Sequence, residues 1–422
     1  VISTVTENLQ NEPALLPARV QKPRLEALTS LRFFAAGMIV LMHYSSSLNP
    51  QILLAIKQPA LHQGVSFFFV LSGFILTYVY PKLDGLPAIA KFLRARLARI
   101  YPTHLLGLGL SIVLLHPLQL TGDYFQLLFL NLFLLQDWLP VTASYWSFNS
   151  PSWSISCELF FYLVFPLLIY KFRLTWKMKL LFCVALSCMT VFSNCVFKFP
   201  NDASGYAVSA DWFSVLAPTT RLLEFAVGMF TAYLFGEFSN RKQFGRFQST
   251  CLEALLIVAT ISALYLPFIG AELRRVNILE LTGWMGASAG TPIYALLIFV
   301  FAASRGRVSK FLSYPFFVLL GEISYAMYLI HCPVISFIAL HRNAFSGIPP
   351  ALLMIGCFGF ILNLSYLVFE IFEKPVRQVI LGKFGKFAGR LELPQKPAVR
   401  LSLCGAAVMV SIACALLLRS QS

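Results

Sequence analysis

The sequence predicts an all-α polytopic membrane protein of about 11 transmembrane helices, ten forming a core and one added at the C-terminus. Three observations predict it. Of the 422 residues 58% are hydrophobic and only 12% charged, with a mean hydropathy of +0.74, which is more apolar surface than a soluble domain of this size can hide. The apolar residues gather in runs of about 17 to 25, the length that crosses a hydrocarbon core. The Lys and Arg residues behind the formal net charge of +15 sit in short clusters between those runs. The positive-inside rule explains such clusters more economically than nucleic-acid binding does.

In chain order, residues 1–29 are polar and contain prolines, and they read as a cytoplasmic segment without a signal peptide. Spanning runs follow at 30–48, 62–80, 103–119, 153–171, 178–197, 214–235, 252–270, 282–303, 316–338, 350–373 and 401–418. Residues 30–380 are thus expected to form the transmembrane domain, 381–400 a basic cytoplasmic linker, and 401–422 an additional helix. With the N-terminus inside, Lys82, Lys91, Arg94, Arg96 and Arg99 form a basic inner loop. Lys171, Arg173, Lys177 and Lys179 also fall inside, provided that the short apolar stretch 123–139 does not cross. That stretch is therefore expected as a re-entrant or interfacial helix. The basic clusters at 305–310 and 374–390 then lie inside, and Arg274 with Arg275 is the one outward exception. No internal repeat is evident. The nine cysteines include no CxxC pair, so neither a zinc site nor a disulfide framework is expected, and no metal site is predicted.

Within the first span, LRFFAAGMIVLMHY, Arg32 and His43 are eleven positions apart. At about 100° per residue they share one face, about 16 Å apart along the axis. A spanning helix rarely carries two such groups without using them. The topology puts Arg32 at the cytoplasmic end, beside the basic loop, and His43 nearer the outer end. Glu158, Arg221, Glu224 and His331 are placed by the same reasoning in the outer half.

Each candidate has a functional and a structural reading. Arg96 and Arg99, at i and i+3 in KFLRARLARIYPTH, form a fork for phosphate oxygens or an anchor for anionic lipid. The entry of Arg32 at the same level favours a ligand between helices. His43 is a hydroxyl-activating base or a buried histidine bonded to a carbonyl. Glu158 lies in a wet pocket or makes a packing salt bridge, Arg221 being the plausible partner. Ser72 and Gly73 read as a close helix approach. Tyr325 and His331 share one span just before Pro333, and His331 binds substrate or caps a cavity.

The ordered blocks LTSLRFFAAGMIVLMH, FFFVLSGFIL, RARLARIYP, PSWSISCELFFYLVFP, APTTRLLEFAVGM, GEISYAMYLIHCP and EIFEKPVR resemble the membrane-bound acyltransferase 3 family over roughly residues 25–380. The resemblance implies transfer of an acyl group, often acetyl, from cytoplasmic acyl-coenzyme A to a hydroxyl of an extracytoplasmic glycan such as an exopolysaccharide, an O-antigen or a related glycoconjugate. It implies that Arg32 and His43 are the family's arginine–histidine pair, that Arg96 and Arg99 are its RxxR pair, and that Glu158 is the glutamate after the WS dipeptide. Thr29 departs from the aspartate that many members carry three residues before the arginine.

The expectation is therefore an O-acyltransferase, and an O-acetyltransferase in particular, of a bacterial inner membrane. It has no tightly bound cofactor; acyl-CoA, as acetyl-CoA, is the donor, and a glycan or lipid-linked glycan is the acceptor. Catalytic roles fall to His43 and Glu158, donor binding to Arg32, Arg96 and Arg99, and supporting roles to Arg221, Glu224, Tyr325 and His331. The rival is a transporter of an anionic or glycan-linked substrate, for which matching inverted halves are expected and not found.

Overall fold

The computed structural model describes residues 24–56, 59–115, 121–200, 204–238, 245–265 and 279–382. The expected helix at 401–418 and almost all of the 381–400 linker lie outside them. In chain order the principal helices are α1 (Glu26–Leu48), α2 (Gly64–Val79), α3 (Gly85–Leu114), α4 (Gly122–Leu132), α5 (Trp153–Ile169), α6 (Phe172–Phe197) and α7 (Pro218–Phe238). They continue with α8 (Arg246–Ala263), α9 (Leu279–Ser288), α10 (Thr291–Ala303), α11 (Pro315–Leu340), α12 (Pro350–Leu367) and α13 (Lys374–Ile380), the last two joined by a π-helical turn, Val368–Glu373. Apart from one isolated bridge between Val141 and Val208, the described residues form no β pairing.

Eight helical segments are long and apolar enough to cross a membrane. Two more, α7 with 21 residues and α8 with 18, match them in length but carry more polar residues, including Arg221 and Glu224 in α7. The expected count of 11 is not reached among the described residues. The stretch at 123–139 becomes α4, whose 11 residues span about 16 Å, half the hydrocarbon thickness. Thr121 starts it, its hydroxyl accepting the Tyr124 N–H at 3.3 Å.

One expectation fails instructively. The basic residues at 91–99 do not form a loop: α3 runs for 30 residues through them and through Pro102. Arg96 and Arg99 therefore sit near the middle of a helix rather than at its edge.

Between α4 and α5 the chain folds back into the protein, and its non-helical backbone is satisfied by side chains. Ser156 Oγ donates to the Leu134 carbonyl at 2.6 Å, Ser144 Oγ to that of Gln136 at 2.6 Å, and Trp212 Nε1 to that of Asp137 at 2.8 Å. Asn149 Nδ2 donates to the Leu329 carbonyl at 2.8 Å. Without water, irregular backbone at this depth is tolerated only with such partners. The outer face of α6 follows the opposite rule: Leu174, Met178, Leu181 and Phe192 are exposed, as a lipid-facing surface requires.

Glycines set the closest contacts. A Cβ on Gly73 would lie 1.9 Å from the Phe225 carbonyl oxygen, and one on Gly228 would lie 1.9 Å from that of Val70. The two contacts are reciprocal, so α2 and α7 cross antiparallel with backbones touching. Gly228→Leu is expected to cost more than about 3 kcal/mol, because the overpacked atom is backbone and cannot rotate away; the check is the yield of monodisperse protein in detergent, and a wild-type yield contradicts it. The helices α1 and α11 are locked in the same way. A Cβ on Gly321 would lie 1.9 Å from the Thr29 carbonyl oxygen, and Ser30 Oγ donates to the Leu312 carbonyl at 2.6 Å. The first contact lies near the starts of the two helices, which run parallel, and the second ties α1 to the short helix Arg307–Leu312 just before α11.

Candidate active site

Three arginines from two helices reach one internal cavity of about 170 Å³. Arg32 comes from α1, Arg96 and Arg99 from one face of α3, and Glu158 is the one carboxylate among the lining residues. Tyr162, one turn after Glu158 on α5, donates to Glu158 Oε2 at 2.7 Å. Arg96 Nη2 donates to the Tyr80 hydroxyl at 3.4 Å and its guanidinium lies 5.5 Å from that ring; its Nε is buried without a partner. Arg99 pairs with Glu373 and lies 5.1 Å from the ring of Tyr325. Glu373 also accepts from Thr103 Oγ1 at 3.2 Å, and Tyr325 donates to the Ile100 carbonyl at 2.7 Å.

Arg32 differs from its neighbours. It is half-buried and makes no ion pair or hydrogen bond among the described residues. It lines both the small cavity and a cleft of about 2000 Å³ at the end of the bundle where α1 begins. The cleft also carries Arg24, Lys82, Arg173 and Arg305. Three guanidiniums against two carboxylates, Glu158 and the Glu373 that pairs with Arg99, in surroundings of low dielectric, leave positive charge that an anion would offset. A planar guanidinium with no protein partner is suited to phosphate or carboxylate oxygens.

A second group lies farther along α1. His43 Nδ1 is 3.0 Å from the Ile39 carbonyl oxygen and 3.2 Å from His331 Nε2, while His331 Nδ1 is 3.2 Å from the Met327 carbonyl oxygen. His331 is buried and His43 half-buried. The His43 Nε2 has no hydrogen-bond partner among the described residues. Tyr328 connects the two groups: its ring is 5.9 Å from that of His331, its side chain lines the arginine cavity, and its hydroxyl meets Ser154 Oγ at 2.8 Å.

A third group is self-contained. Arg221 Nη1 donates to Glu224 Oε1 at 2.7 Å and to Ser66 Oγ at 3.2 Å, Ser288 Oγ donates to the same Glu224 oxygen at 2.7 Å, and the Arg221 Nε donates to the Val215 carbonyl. Both residues are buried. This network ties α7 to α2 and α9.

The predicted site residues thus divide. Arg32, Arg96, Arg99 and Tyr325 meet, and His43 meets His331. Arg221 and Glu224 partner each other rather than either group. Glu158 is displaced from its predicted level: it lies with the arginines and Tyr162, not with His43, and makes no salt bridge to Arg221. The reason is the fold-back before α5, which starts that helix inside the protein. Tyr162, Tyr328 and Glu373 were not singled out by sequence. The i, i+3, i+6 spacing of Tyr325, Tyr328 and His331 held the signal for Tyr328. Glu373 is the last residue of the apolar run at 350–373. Among the described cysteines Cys157, Cys183 and Cys357 are free and buried, whereas Cys188 and Cys251 are exposed.

Comparison with known proteins gives this arrangement a context. A family model described as an acyltransferase domain, that of the acyltransferase 3 family, matches residues 25–370. The acyltransferase MdmB of Streptomyces mycarofaciens is 30% identical over 342 residues, covering 76% of this chain and 81% of that protein. The O-acetyltransferase OatA of Staphylococcus aureus is 24% identical over 344 residues, covering 76% of this chain and 52% of that protein; the chain thus spans about half of that relative's length. No solved structure matches. A family match that takes in every one of the helices bearing the arginines and the histidine pair identifies the chain as a multi-pass membrane acyltransferase of the acyltransferase 3 family.

Proposed function

We propose that the chain is an O-acyltransferase, and an O-acetyltransferase in particular, that takes its acyl group from acyl-coenzyme A on the cytoplasmic side of a bacterial inner membrane. The acceptor is a hydroxyl of an extracytoplasmic glycan or lipid-linked glycan. One observation carries this reading: the partnerless Arg32 stands between an open cleft and a cavity that Arg96 and Arg99 also line, with His43 three turns farther along the same helix. In this reading α1 starts at the cytoplasmic face and residues 30–380 form the catalytic unit. The similarity to the O-acetyltransferase OatA supports the reaction class.

The phosphates of the coenzyme bind Arg32, Arg96 and Arg99, and the thin pantetheine arm runs alongside α1 towards His43. The separation of about 16 Å suits an extended arm of that kind. His43 Nε2 takes the proton of the acceptor hydroxyl, and the oxygen attacks the thioester carbonyl. The C–O bond forms, the C–S bond breaks, and the departing thiolate takes the proton back from Nε2 as the thiol. Glu158, held by Tyr162, orients the guanidiniums on the donor side.

The test uses the full chain in vesicles with acetyl-coenzyme A labelled in the acetyl group and the glycan fraction of the source cell. Label on the glycan together with an equal release of coenzyme A is the expected result. Glycan that stays unlabelled while the protein is intact overturns the proposal.

A further inference from the structure

We infer that His331 is a positioning residue for the transfer: it keeps the proton of His43 on Nδ1 and so presents the Nε2 lone pair to the acceptor. The inference rests on the reading of His43 as the base. It follows from which ring nitrogens face which acceptors. The Met327 carbonyl oxygen, 3.2 Å from His331 Nδ1, only accepts, so a neutral His331 carries its proton on Nδ1 and a lone pair on Nε2. That lone pair faces His43 Nδ1 at 3.2 Å, which must therefore carry a hydrogen.

The same nitrogen also faces a carbonyl, one that already accepts the backbone N–H of its own helical turn and so shares the holding of this tautomer with His331. The Ile39 oxygen lies 3.0 Å from the same His43 Nδ1. With its proton shared between these two acceptors, His43 has a bare Nε2, and no described residue bonds to it. Without the His331 lone pair, only the helix-engaged Ile39 carbonyl holds the Nδ1 hydrogen, and the form protonated on Nε2, which is no base at that position, gains population. Once Nε2 takes the proton of the hydroxyl, the Nδ1–H of the imidazolium still donates to His331, so the contact persists through the step.

Burial separates this role from substrate binding. His331 is fully buried with both ring nitrogens engaged, whereas His43 is half-buried. The ring of His331 is held in turn by that of Tyr328, and α1 and α11 are locked at Gly321 and Thr29, so the two imidazoles are presented by a fixed pair of helices.

The test measures turnover with labelled acetyl-coenzyme A and the glycan fraction, and affinity with coenzyme A alone. His331→Leu is expected to lower kcat about 100-fold with KM and coenzyme A affinity nearly unchanged, the size of a lost general-base alignment. His331→Gln, whose Oε1 accepts from His43 Nδ1–H, is expected to recover about tenfold of that loss. Wild-type turnover in the leucine variant, or a glutamine variant no better than leucine while coenzyme A still binds, overturns the assignment. If the leucine variant loses coenzyme A binding and with it the fold, the comparison passes to His331→Asn, which is polar but too short to reach His43. Asparagine as active as glutamine then overturns the role, and asparagine well below glutamine supports it. Undiminished transfer by His43→Ala overturns the underlying reading of His43, and is thus distinguished from failure of His331 alone.

Discussion

His43→Ala is expected to lower acyl transfer by about 1000-fold while coenzyme A binds as before. The two effects separate because the imidazole lies about three helical turns from Arg32, on the far side of the cavity that the arginines line. Alanine removes the Nε2 base and also the donor to His331 Nε2, but it leaves the Arg99–Glu373 pair and the contacts of Gly321 untouched. Adding His331→Ala to His43→Ala is expected to cost almost nothing further, since a positioning residue has no effect without the group it positions. Labelled transfer and coenzyme A titration on the same preparations check both statements. Transfer within about tenfold of wild type would remove His43 from the chemistry.

Arg32→Ala is expected to weaken coenzyme A binding by about 10- to 150-fold, the worth of one charge-assisted hydrogen bond of about 1.5–3 kcal/mol. Arg32 is the cleanest of the three arginines to test. Arg99→Ala would strand the buried Glu373 without its cation, and an uncompensated buried charge costs about 3–5 kcal/mol of stability, so loss of binding there would be confounded with loss of fold. Arg32 has no protein partner to strand. Its removal relieves positive charge, and the expected stability is equal to or above that of the wild type. Isothermal titration with coenzyme A and thermal unfolding in detergent measure the two quantities. Unchanged affinity would mean that the phosphates bind elsewhere.

Hydropathy and charge made the helices legible, because a spanning run must be apolar along its whole length and its flanks must be charged. The same periodicity put Arg32 and His43 on one face, and the RxxR spacing put Arg96 and Arg99 on another. Depth was less legible. Apolar length says that a segment crosses, but not where its neighbour begins, so α5 was placed with Glu158 near the outer surface when the fold-back at 133–152 starts it deeper. Charge clustering misled in the same way at 91–99. Basic residues there read as a loop, but Leu93, Ala95, Leu97 and Ala98 are compatible with helix, and α3 simply continues through them. Partner choice was the least legible. Arg221 has a glutamate three residues away on its own helix, and this local pairing took precedence over the long-range one to Glu158. No sequence spacing announces that residues 288 positions apart, His43 and His331, will bring their ring nitrogens within 3.2 Å.

Backbone contact between α1 and α11 at Gly321 has a mechanical meaning. Helices separated by side chains slide when rotamers change, but helices touching through a carbonyl and a glycine have nothing compressible between them. The guanidinium of one helix and the paired imidazoles farther along are then mounted on one rigid strut. A strut has no stroke. A change at the arginine end therefore reaches the imidazoles as a movement of the whole pair and not as a slide of one helix along the other.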